Sequence, residues 1–293
     1  MITMKKYLAP ALLIALIVSA GCTKPEVKDY DALNNEFTAL KKEYDAAKSQ
    51  LTSQQNTIQG LQSELTSKTG ALDQAQKRVS ELESRLNRIL DTNVVEYYRL
   101  SHGGFSYDWT VPITLKTYFY FKDQPRPGES SRYTAMAIDP NAGSVIDILS
   151  RNFEDAALTH NLRKTDVVNL VAAFVQSLPH NDKEVTTPAD EYPRFPIETL
   201  FEQGGDSTDT SILTAALLVK QGYDVVLFVY EQQKHVAVGV NVAGAGGITW
   251  EHQGNRYSYL ETMGVATTGT GWQLGEAPSQ FRDPRPVIIP VRP

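Results

Sequence analysis

The sequence holds a single cysteine, Cys22, in 293 residues. One thiol closes no internal disulfide and builds neither a cysteine-rich zinc site nor an iron–sulfur cluster. A basic excess is also missing: Lys plus Arg number 28 against 34 Asp plus Glu, a formal net charge of −6. A general polyanion binder needs the opposite balance to neutralise phosphates, so no nucleic-acid partner is expected. Proline is absent between Pro25 and Pro112, which leaves that stretch free to run as helix. Apolar residues make up 41% and aromatics 9% of the chain, enough for a packed core and too much for wholesale disorder.

The first segment reads as an address. Lys5 and Lys6 precede an apolar run from Leu8 to Ala20, followed by Gly21 and Cys22. A membrane span needs about 20 apolar residues; this shorter run suits the core of a secretory signal. The small residues Ser19, Ala20 and Gly21 before the cysteine resemble a bacterial lipoprotein signal, with Ser19 where Leu is commonest. The resemblance implies a signal peptide over 1–22, Cys22 as lipidation site, and an extracytoplasmic chain held at a membrane of the cell envelope by its lipid anchor. An ordinary secreted protein or a short N-terminal anchor is the alternative. Two or more acyl chains anchor stably, since each buried methylene contributes about 0.8 kcal/mol.

Residues 26–92 carry a heptad ladder. Alternating steps of four and three run Leu33, Phe37, Leu40, Tyr44, Ala47, Leu51, Gln54, Ile58, Leu61, Leu65, Lys68, Leu72, Ala75, Val79, Leu82, Leu86 and Ile89, apolar or aromatic at fifteen of seventeen positions. A 3.5-residue period implies a left-handed supercoil and a rod of roughly 85 Å. With Phe37 at position a, the pairs Glu36–Lys41, Glu43–Lys48 and Arg78–Glu83 are each opposite in sign, as a parallel in-register assembly requires. Each exposed pair is worth only a few tenths of a kcal/mol. The expectation is a parallel coiled coil that makes the chain a homo-oligomer; a lone helix packed on its own globular domain is the alternative. Gly60 and Gly70 lie outside the seam, and the unbroken register speaks against a hairpin at either.

The remainder is expected to be a globular domain over 94–277 with a proline-rich extended tail, 278–293. TVPITLKTYFYF reads as strand. Val167, Val168, Leu170, Val171, Phe174, Val175 and Leu178 repeat at helical spacing over Thr165–Leu178. A short helical IETLFEQ and a helix from about Thr208 to Gln221 follow, the latter closed by Gly222. Then DVVLFVY, HVAVGVNV, ITWEH and NRYSYLET read as four strands of an antiparallel meander. The fold class is therefore α+β: a long N-terminal coiled-coil helix, then a domain with helix packed on an antiparallel sheet.

A helix starting at Gly-Gly-Asp before an antiparallel sheet suits nucleophilic catalysis, because unpaired N–H groups and the helix dipole stabilise an anion there. The candidates are Ser207 at the helix start, His235 at the head of a strand as base, and Glu261 near the end of a later strand as the orienting acid. EYPRFPIETLFEQGGDSTD (residues 191–209), HVAVGV (235–240), RYSYLET (256–262) and GWQLGE (271–276) together resemble the transglutaminase-like domains of bacteria and archaea, which share the papain-like cysteine-protease fold. The likeness covers residues 174–275. In that family the position of Ser207 is a cysteine nucleophile, His235 matches the base, and Glu261 matches an acid more often Asp. A serine hydroxyl is far less acidic than a thiol, so the same helix field cannot populate its anion.

The resemblance implies a binding or scaffold domain with a catalytically inactive site for peptide-like or cell-envelope ligands. Alternatively it implies an enzyme of acyl transfer or amide hydrolysis using Ser207, His235 and Glu261, or a cysteine enzyme disarmed by substitution at 207. Bland readings exist for each residue: Ser207 as a helix-start hydroxyl, His235 as a hydrogen-bonded strand histidine, Glu261 as a solvent-facing carboxylate. The five histidines show no paired ligand spacing, so neither metal nor cofactor is expected. The AGAGG run at residues 243–247 precedes a strand rather than a helix and reads as a turn, not a dinucleotide cradle.

Overall fold

The computed structural model describes residues 27–126, 128–180, 192–264 and 271–292. The expected signal segment and Cys22 lie outside them. The chain divides into two compact units, residues 1–81 and 82–293.

One helix, α1 (Val27–Leu90), runs 64 residues without a break, about 96 Å at 1.5 Å per residue. Gly60 and Gly70 do not interrupt it. Every residue from Tyr30 to Ile89 is exposed, and the large seam side chains from Leu33 to Ile89 are 53–67% exposed. Lys68, one of the two polar seam residues, is held by Glu64 one turn earlier (Nζ–Oε1 2.7 Å). Among the described residues no helix is long and apolar enough to cross a membrane.

After α1 comes a hairpin of β1 (Asn93–His102) and β2 (Phe105–Thr114), paired in full register from Asn93↔Thr114 to His102↔Phe105. Gly103 and Gly104 make its two-residue turn with φ of 60° and 81°, the left-handed values that such a turn requires. The strand expected through Phe121 stops at Thr114. LKTYFYF is instead α2 (Leu115–Lys122), because the Thr114 side chain accepts the Thr117 N–H and caps a helix. Phe121 is then turned inward, 5.1 Å ring to ring from Phe195. Tertiary packing outweighs the strand propensity of the aromatics.

The order continues α3 (Tyr133–Ala137), α4 (Gly143–His160), α5 (Lys164–Gln176), α6 (Pro196–Phe201), α7 (Ser207–Lys220), β3 (Asp224–Tyr230), β4 (His235–Asn241), β5 (Thr249–His252), β6 (Asn255–Leu260) and β7 (Val287–Val291). The sheet order is β5-β6-β4-β3-β7, with antiparallel neighbours throughout. This is not the simple meander expected. The AGAGG turn carries the chain outward so that β5 becomes the edge and β6 returns beside β4. Gly247 packs directly on Gly275: a Cβ there would sit 2.2 Å from the Gly275 carbonyl oxygen. Ile248 N–H bonds that same oxygen, and Gly275 N–H bonds Tyr259 O. The proline-rich segment is not extended throughout: a 3-10 turn spans Ser279–Phe281, and only from Val287 to Val291 does it run as strand, adding a fifth along β3.

The core is built around α7. Every residue from Asp209 to Leu218 is buried, since β3 and β4 cover one side of the helix and α3, α4, α5 and α6 the other. A helix enclosed all round needs no polar stripe. Val226, Phe228, Tyr230, Tyr257 and Tyr259 form a second apolar layer with Ala277 and Phe281. β3 and β4 are therefore buried on both faces, which is why they read as continuous apolar runs. This arrangement fixes the first turn of α7 against the head of β4.

Candidate active site

The start of α7 is held by charge and by sterics. Asp206 caps the helix, its side chain accepting the N–H groups of Thr208 (2.9 Å) and Asp209 (3.0 Å). Asp209 reaches back to Asp206 N–H (3.2 Å) in a reciprocal capping box. Asp209 is fully buried and also accepts the Arg194 backbone N–H at 2.7 Å. The Arg194 guanidinium lies 3.4 Å from the Asp209 carboxylate and donates to Gly204 O at 3.1 Å. Its Nε stands 2.9 Å from Glu202, close enough for an ion pair though not aligned for a hydrogen bond. Gly205 faces Asp209 so closely that a Cβ would fall 2.6 Å from the Asp209 Cβ. In GGDSTD, then, Gly205, Asp206 and Asp209 build the helix start, and Arg194 of EYPR ties it to the preceding segment.

Ser207 is the first residue of α7, and its Oγ accepts the Val236 N–H at 3.3 Å. His235 heads β4 opposite Tyr230 of β3. Its Nε2 lies 3.1 Å from Glu261 Oε2, which leaves Nδ1 as the nitrogen not engaged by the acid. The imidazole stacks on Phe281 with ring centroids 4.1 Å apart and planes 11° from parallel. Ser207 Oγ and the imidazole are not hydrogen-bonded to each other.

Glu261 follows β6 directly and is only 1% exposed, so it is not a solvent-facing carboxylate. Its Oε2 also accepts the Tyr259 hydroxyl (2.7 Å), and its Oε1 accepts the N–H groups of Thr262 (2.9 Å) and Met263 (3.0 Å). Burial alone would raise its pKa. Hydrogen bonding and charge from His235, then the Tyr259 hydroxyl and Met263 N–H, outweigh burial and hold it below the usual carboxylate value. The acid is therefore ionised at neutral pH. The Tyr259 hydroxyl, buried and facing that anion, is pushed well above the normal tyrosine range.

Buried hydroxyls bolt these parts together. Ser211 Oγ donates to Val236 O, the residue after His235, at 2.8 Å. Thr262 Oγ1, next to Glu261, lies 3.0 Å from Ser211 Oγ and 2.9 Å from Thr210 Oγ1. From the other side, Gln176 Nε2 of α5 donates to Glu261 O at 2.8 Å. The two turns of α7 that begin at Ser207 thus grip both the strand of the histidine and the segment of the acid.

Ser207 and His235 line one cleft of about 410 Å³, shared with Tyr133, Tyr192, Tyr230 and Lys234. The three candidates named from the sequence are brought together, Glu261 through its 3.1 Å contact with His235 rather than by lining the cleft. Cys22 falls outside the described residues. Sequence reasoning assigned no role to Arg194, Asp209, Tyr259, Thr262 or Phe281. The first four stand inside the quoted motifs or at their ends, whereas Phe281 lies in the proline-rich segment, where no pattern pointed to it. Among the described residues no group of three His, Cys, Asp or Glu side chains is placed to hold a metal ion.

Chemically, the arrangement offers a histidine oriented by a buried anion and a hydroxyl at the N-terminus of a fourteen-residue helix. The hydroxyl oxygen accepts one backbone N–H, and its proton is not held by the imidazole. No family model, curated protein or solved structure matches this chain.

Proposed function

We propose that the globular unit is a transglutaminase-like domain that binds peptide-like or cell-envelope ligands in the Ser207 cleft without turning them over. In this reading Cys22 carries a lipid anchor and the chain is an extracytoplasmic lipoprotein. The observation that carries the inactive reading is the state of Ser207. Its oxygen accepts the Val236 N–H at 3.3 Å and it shares no hydrogen bond with His235, so the base is not set to remove its proton. Misplacement of about 1 Å costs a nucleophile roughly a hundredfold, and a hydroxyl has no thiolate-like anion to fall back on.

One observation favours a second reading, a working serine enzyme of acyl transfer or amide hydrolysis. The His235–Glu261 pair is complete, and its acid is buried and held ionised.

A fluorophosphonate probe separates the two. The binding reading expects no adduct at Ser207, together with co-sedimentation of the chain with purified peptidoglycan that Tyr192→Ala weakens. Stoichiometric labelling at Ser207 that vanishes in His235→Ala would establish the enzyme instead. The anchor is tested separately by metabolic labelling with palmitate, expected in the wild type and lost in Cys22→Ala.

A further inference from the structure

α1 presents a stripe of large apolar side chains, each more than half exposed, from Leu33 to Ile89, interrupted by Gln54 and Lys68 and by two alanines. A stripe of that extent marks an interaction surface, and its 3.5-residue period fits another helix carrying the same repeat. The same stripe on every copy makes the chain its own complement.

We propose that the occupant of this stripe is the α1 helix of another copy of this chain, laid parallel and in register. The flanking charges do not choose the direction. A parallel pair matches Glu36 with Lys41, Glu43 with Lys48 and Arg78 with Glu83, but an antiparallel pair also sets Glu36 and Glu43 against Arg85 and Arg78. The polar seam residues do choose. With Phe37 at position a, every a position from Phe37 to Leu86 is apolar or aromatic, and both polar residues, Gln54 and Lys68, fall at d.

In an antiparallel pair d packs against a, so each Gln54 amide faces an apolar side chain and loses its hydrogen bonds to water unrepaid. In a parallel pair in register d packs against d. Each Gln54 then meets its own copy, and an amide both donates and accepts. A slip by one heptad removes that match by setting Gln54 against Leu61 or Ala47. A single polar layer that fixes register in this way is an established device of coiled coils.

Lys68 does not oppose the arrangement. Its ammonium is drawn to Glu64 at the flanking g position, 2.7 Å away on the same helix. The charge thus sits at the rim while the methylene stem lines the seam.

The test uses the full-length chain with Cys22→Ser, in mild detergent. Sedimentation equilibrium at micromolar concentration is expected to give a mass of two or more copies. Leu65→Lys with Leu72→Lys should bring it to one copy, with the near-ultraviolet circular dichroism of the globular unit unchanged. Gln54→Cys should cross-link to itself on oxidation, and a mixture of Glu36→Cys with Arg85→Cys chains should not cross-link. A monomer before the lysine substitutions, or an oligomer that survives them, would overturn the proposal. Preferential cross-linking of the Glu36→Cys and Arg85→Cys mixture would overturn the parallel arrangement.

Discussion

Replacing Asp209 by alanine removes the anion on which the start of α7 rests. The Asp209 carboxylate is fully buried, accepts two backbone N–H groups, from Arg194 at 2.7 Å and Asp206 at 3.2 Å, and faces the Arg194 guanidinium at 3.4 Å. Asp209→Ala leaves those donors without this acceptor and leaves a buried arginine with Glu202 as its remaining close anion among the described residues. Breaking a buried ion pair costs about 3–5 kcal/mol, and because Glu202 compensates part of the charge the lower end applies, about 3 kcal/mol. For a domain of this size each kcal/mol lowers Tm by about 2–4 °C, so a fall of about 6–12 °C is expected. Asp209→Asn keeps one acceptor oxygen and should lose clearly less. Scanning calorimetry of wild type and both variants measures the effect. A loss under about 1 kcal/mol for Asp209→Ala, or equal losses for the two, would refute the claim that this carboxylate anchors the helix start.

Further outcomes follow from the same geometry. Glu261 lies below its usual pKa in the fold, so its anion adds stability above the unfolded value near 4.5 and loses it as pH falls through the folded value. The Tm gap between wild type and Glu261→Gln should therefore be full at neutral pH and narrow on acidification. Gly205→Ala forces a Cβ to 2.6 Å from the Asp209 Cβ and should destabilise by about 1–3 kcal/mol, as overpacking does; chemical denaturation reads it. Phe281→Ala removes a ring that is 5% exposed and stacked on His235. It should lower stability by about 3 kcal/mol and broaden the His235 ring resonances in NMR spectra.

The parts legible in the sequence were those governed by local period. The long helix, α5, α7 and β3 appear where spacing placed them, because each buries or presents one regular stripe or run. Thr114 ended a strand that composition alone would have continued, and only its capping bond reveals this. α4 went unread, although Val145, Ile146, Leu149 and Phe153 repeat at helical spacing within it. The sheet order was illegible because it turns on Gly247 meeting Gly275, a contact between segments far apart in the chain. At the site, Ser207, His235 and Glu261 were nameable from motif spacing. Their supports were not: Phe281 arrives from the C-terminal segment, and the Thr210, Ser211 and Thr262 hydroxyls read in sequence as ordinary polar residues.

The central proposal is that Ser207 stands at a nucleophile position beside the assembled His235–Glu261 pair, with an oxygen that the pair does not activate as it would a sulfur. Alkylation of Ser207→Cys by iodoacetamide, in a Cys22→Ser background and followed against pH, tests it most directly. A thiolate formed by the helix start and the histidine should react at nearly full rate well below the free cysteine pKa of about 8.5, and His235→Ala should abolish the advantage. An alkylation profile that titrates like free cysteine, and is indifferent to His235, would contradict the account.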